Sequence, residues 1–201
     1  MTWYADEILL RATPAALTAI KADAQLVGFA YHLKSLDEFD WYLPEHRHGL
    51  PAEGLLVVRP VCNAQSHGGR WYGEPVLDAA QLSAATDAQA LLNPQIPEQL
   101  AADVYDSALP CAALRASLAT LAQRLNEPVV YYSCSMWGGD IDHEFCLLYE
   151  PQESLLMTDV AERGHGAERA LGQGLQKLGL ALPTAFFAPH TRSFDWAAHK
   201  L

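Results

Sequence analysis

The chain has 201 residues, enough to bury a full hydrophobic core in a single domain spanning 1–201. Half of it is hydrophobic and 18% is charged, which excludes a disordered polymer. Thirteen basic residues face 24 acidic ones, for a net charge of −11, which counts against nucleic acid or an anionic membrane surface as partner, since both demand clustered Lys and Arg.

The first ten residues, MTWYADEILL, carry no basic segment ahead of an apolar core, so no signal peptide is expected. An apolar run of 18 residues is also missing from the sequence. Cys62, Cys111, Cys134 and Cys146 show no CxxC pairing and read as reduced thiols. Together these features point to a cytoplasmic protein.

In chain order, Trp3 to Arg11 reads as a first strand. Thr13-Pro14 opens a helix, with Thr as N-cap and Pro at the first helical position. That helix should end before Gln25. Leu26 to Leu33 is a short apolar run, more strand than helix. Ser35 and Glu38 have capping-box spacing for a short helix, stopped before Pro44. Leu55 to Cys62 is a strand, demoted towards a sheet edge by Pro60. Asn63 to Gly73 is a loop containing His67. Asp78 to Leu92 is a helix, and Pro97 starts another. From Pro110 to Asn126, Leu114, Leu118, Leu121 and Leu125 form one helical stripe. Pro128 bars its continuation.

Val129 to Tyr149, VVYYSCSMWGGDIDHEFCLLY, is the densest apolar and aromatic run. It reads as a hairpin turning at Gly138-Gly139, where both residues can take positive φ. After it, Ser154 to Val160 reads as a short strand. Ala167 to Leu178 reads as a helix that Gly179 ends. The aromatic tail should dock onto the body.

Candidate chemistry concentrates in the hairpin. A two-residue turn sets Cys134 opposite His143 and Met136 opposite Ile141. Cys134 with His143 is the raw material of a thiolate–imidazolium dyad. Asp140, Asp142 and Glu144 alternate with Ile141, His143 and Phe145, so a regular strand lines three carboxylates along one face. Such a face suits a hard cation, helped by His67 or His190, or serves as a docking strip for Arg and Lys. Ordinary half-buried strands show the same alternation. There is no nucleophile elbow, phosphate loop or dinucleotide fingerprint.

The element order predicts an α+β fold, a mixed and mainly antiparallel sheet with helices packed on one face; a doubly wound sheet is the lesser alternative. In size, acidity, aromatic content and lack of catalytic motifs, the chain resembles bacterial immunity proteins, which neutralise a cognate toxin, often a basic nuclease. The resemblance is one of overall character. It implies a protein that is not an enzyme and has no cofactor or bound metal. Such a protein docks a basic protein partner, possibly a toxin, through Trp137, Asp140, Asp142 and Glu144. A small hydrolase or transferase using Cys134 and His143 or a carboxylate-held metal, and a purely structural domain, are the alternatives.

Overall fold

A computed structural model describes residues 3–24, 26–34, 49–59, 112–137, 140–152, 169–181, 187–190 and 194–201. The expected helices at 35–42, 78–92 and 97–105, the loop at 63–73 and the strand at 154–160 lie outside these residues.

Strand β1 (Trp3–Arg11) enters first, and helix α1 (Pro14–Ala22) follows it. The Thr13 hydroxyl accepts from the Ala16 amide at 3.2 Å, the cap that the sequence predicts. A single 3-10 turn at Val27–Phe29 leads into β2 (Ala30–Leu33), so the apolar run at 26–33 is only half strand. Strand β3 is Leu55–Val58. Helix α2 (Ala112–Leu125) ends where Asn126 takes φ 53°, and the Glu127 amide then donates to the Ala122 carbonyl at 3.3 Å. The hairpin strands are β4 (Val129–Trp137) and β5 (Asp140–Tyr149), joined through Gly138 and Gly139. Helix α3 (Ala170–Lys177) closes at Gly179, whose φ of +81° suits glycine.

Among the described residues five strands form one antiparallel sheet in the order β2-β3-β1-β4-β5. The α+β class therefore holds. The expectation that helices cover one face needs correction. Ile8, Leu10, Leu56, Tyr131, Phe145 and Leu147 pack against α1 and α2 on one side. Leu9, Leu55, Val57, Val130, Tyr132 and Leu148 pack against α3 and the C-terminal residues on the other. The physical reason lies in the strand sequences. Ile8-Leu9-Leu10, Leu55–Val58 and Val129–Tyr132 are continuous apolar runs, and both of their faces must leave water. Alternation in the hairpin's outer half does not represent the sheet.

The stripe Leu114, Leu118 and Leu121 is buried against the hairpin, as its spacing predicts. Leu171, Leu175 and Leu178 do the same from α3 on the opposite face. The tail also docks: Phe187 and Phe194 are buried, and Lys200 bridges Tyr31 on β2. No helix among the described residues is long and apolar enough to cross a membrane.

Candidate functional site

The hairpin register decides which of its reactive residues meet. From Val129 opposite Tyr149 to Ser135 opposite His143 the pairing is regular; it then shifts, so that Met136 faces Ile141 and Trp137 faces Asp140. Asp142 is the extra residue, a β-bulge on β5. Met136 opposite Ile141 matches the two-residue turn. Cys134 opposite His143 does not: Cys134 faces Glu144, and His143 faces Ser135. A bulge inserts one residue without changing the turn, so turn length alone could not reveal it.

The bulge also breaks the alternation. Ile141 packs against the same cluster as Cys134 and Cys146, on the α3 face that Glu144 shares. The three carboxylates therefore do not form one solvent-facing row. Glu144 is fully buried, which corrects its expected place on an acidic docking strip. The side chains of Trp137, Asp140, Asp142 and His143 lie outside the described residues, as do His67 and Cys62.

Glu144 is held by Arg169, which immediately precedes α3. The Arg169 Nη2 donates to Glu144 Oε1 at 2.6 Å, and its Nε donates at 3.1 Å to the same oxygen. The Tyr132 hydroxyl, on the neighbouring strand, donates to Glu144 Oε1 at 2.8 Å. An ionised carboxylate in a dry interior demands this bidentate cation. Burial alone would lower the pKa of Arg169, but Tyr132 and Glu144 outweigh it and hold the guanidinium protonated more firmly than usual.

Cys134 lies in the same layer. Burial, reinforced by the Glu144 charge, pushes its thiol up to about 12. That is the opposite of what a nucleophilic cysteine needs, since the thiolate is the reactive form. Cys146 is spent on packing: its thiol donates to the Ala170 carbonyl at 3.0 Å.

A second buried pair stands one strand away. Glu7 on β1 is paired with Tyr132 across the sheet and is 1% exposed. His190 Nε2 lies 2.8 Å from Glu7 Oε2, and Arg59 Nε lies 3.2 Å from Oε1. The His190 ring stacks on Tyr132 with centroids 5.5 Å apart. Tyr132 thus joins the two clusters, with its ring against His190 and its hydroxyl on Glu144. Burial would raise the pKa of Glu7, but the His190 charge and hydrogen bond, with Arg59 beside them, hold it below the usual carboxylate range.

On the opposite face, Asp6 Oδ1 accepts from the Ser133 hydroxyl at 2.9 Å and the Tyr131 hydroxyl at 3.1 Å. Sequence reading passed over Glu7, Arg59, Tyr132 and Arg169. The available signal was Asp6-Glu7 inside an apolar strand, because a carboxylate there requires a partner. Which cation would answer it depends on contacts 52 to 183 residues away, which no local pattern encodes.

No protein-family model matches the chain, and neither a curated protein nor a solved structure matches it.

Proposed function

We propose that the chain is a non-enzymatic, acidic protein that docks a basic protein partner, in the manner of bacterial immunity proteins. The observation that carries this reading is the excess of acid over base, 24 residues against 13, set beside the fate of the buried carboxylates. Glu7 and Glu144 are matched by cations inside the protein, so they are not the acids that would meet a partner. A net charge of −11 steers a basic partner, with Asp140, Asp142 and Trp137 at the hairpin turn as the contacts. Glu144 has no part in that contact.

A cysteine enzyme is disfavoured by the thiol of Cys134 and by the hairpin register. A metal held by the hairpin carboxylates is disfavoured because Glu144 is committed to Arg169 and Tyr132. The proposal places the protein in the cytoplasm, in keeping with the reduced thiols of Cys134 and Cys146.

The test is capture from a lysate of the source cell on immobilised full-length protein. At roughly 50 mM salt a basic protein should be retained, and at roughly 500 mM most of it should be released, because screening shortens the reach of the acidic field. Retention of no basic protein, or retention indifferent to salt, would sink the proposal.

A further inference from the structure

The outer strand of the hairpin faces a choice of register that its apolar residues do not settle. Among the described residues β5 pairs with β4 alone, so its register is fixed from one side. Slipping a strand by one residue sends every side chain to the opposite face, and burial of a single face is what normally forbids it. Here Phe145, Cys146, Leu147, Leu148 and Tyr149 are all buried, alternately on the two faces of the sheet. Both faces accept apolar groups, so hydrophobicity alone does not separate the observed register from its neighbour.

That neighbour is the regular continuation of the two-residue turn. Without the bulge at Asp142, His143 would face Cys134, Glu144 would face Ser133 and Phe145 would face Tyr132. Glu144 is the residue for which the two registers differ most. In the observed one it lies on the α3 face, where Arg169 Nη2 donates to it at 2.6 Å and the Tyr132 hydroxyl at 2.8 Å. In the regular one it would pass to the α1 and α2 face beside Ser133, whose hydroxyl donates to the Asp6 carboxylate at 2.9 Å. A buried carboxylate would then lose its cation and gain a second carboxylate as neighbour.

We propose that the Glu144–Arg169 pair is a register lock, which selects the bulged hairpin and so positions Asp140 and Asp142 for a basic partner.

Its use in docking rests on the function proposed above; the lock itself does not. The bulge leaves Asp142 outside the ladder, while Asp140 stays paired with Trp137. Glu144 lies two residues beyond Asp142 and acts through the backbone, without touching the partner. Volume acts in the same direction. Cys146 lies under Gly174, where a Cβ on that glycine would meet its sulfur at 2.8 Å, and the regular register would bring Phe145 opposite Tyr132 in its place. Crowding of that kind is relieved by small movements of the helix, whereas a stranded carboxylate has no such remedy. Single buried polar groups set register in coiled coils by the same asymmetry, even where they add no stability.

Backbone nuclear Overhauser contacts across the hairpin of the full chain read the register with no partner present. The parent should show Tyr132 with Cys146 and Val130 with Leu148. Glu144→Met with Arg169→Met removes both charges, and a second set should appear, Tyr132 with Phe145 and Val130 with Leu147. Glu144→Gln still accepts from Arg169 and Tyr132 and should show the parental set alone. Should the double variant fail to fold, Glu144→Leu is read in its place and should also give the second set. The parental set alone in a folded variant of either kind, or a second set equally strong in Glu144→Gln, would overturn the lock. Absence of a basic partner would not alter these contacts, so the lock and the docking reading fail separately.

Discussion

The two faces of the sheet come from the same five strands, yet they are held in different ways. The face under α1 and α2 is closed by aliphatic and aromatic packing, with Asp6 satisfied by two hydroxyls. The face under α3 and residues 187–190 and 194–201 buries two carboxylates and matches them with two arginines and a histidine around Tyr132. Apolar packing is non-directional and tolerates local repacking, whereas buried ion pairs demand particular partners in particular places. The α3 face is therefore the one on which distant segments, Arg169 and His190 among them, are chosen by charge. The other face is one on which helices are chosen by shape.

The largest expected effect breaks the charged face at its deepest point. Arg169→Ala strands Glu144 as a buried, unpaired carboxylate and should cost about 3–5 kcal/mol. For a chain of this size that lowers the melting temperature by roughly 10 °C. Replacing both partners, as Glu144→Met with Arg169→Met, should recover most of the loss, since an ion pair can be exchanged for apolar contact of similar volume. A double variant as unstable as the single one would mean that the pair contributes more than mutual neutralisation. Chemical denaturation of the three proteins decides it.

A smaller effect tests how closely α3 approaches the sheet. A Cβ at Gly174 would lie 2.8 Å from Cys146 Sγ and 3.0 Å from Val130 Cγ1. Gly174→Ala should therefore destabilise by about 1–3 kcal/mol through overpacking, more than any gain in helix propensity. Adding Cys146→Ala removes the nearer obstacle and should restore part of the loss; purely additive melting temperatures would contradict the close approach. On the other face, Thr13→Ala removes only the cap of α1. Its expected cost is about 1 kcal/mol, readable as a melting shift of a few degrees.

Much of the fold was legible in the sequence because its signals are local. Thr13-Pro14, the leucine stripe of α2, the Pro128 stop and Gly179 each act within a few residues, and the elements stand where they indicate. The second helical layer was legible too, in the unbroken apolar runs of β1, β3 and β4, but alternation in 140–145 drew attention away from it. The candidate site was much less legible. The bulge at Asp142 sits three residues past the turn, and it reverses the expected facing of Ile141 relative to Glu144. The partners of Glu7 and Glu144 come from chain segments far off in sequence. An acidic residue in a strand reads the same whether it is solvated or bound to a buried arginine.

The central claim is that the hairpin carboxylates divide, Glu144 serving the interior and Asp140 with Asp142 serving a basic partner. It is tested most directly by comparing Glu144→Gln with the double variant Asp140→Lys, Asp142→Lys, in melting temperature and in capture of the basic protein. Glu144→Gln should lower the melting temperature and leave capture intact. Under the proposed contact, the charge-reversed double variant should melt within about 2 °C of the parent and lose most of its capture. The opposite pattern, with capture lost in a folded Glu144→Gln protein and retained after charge reversal, would contradict the account.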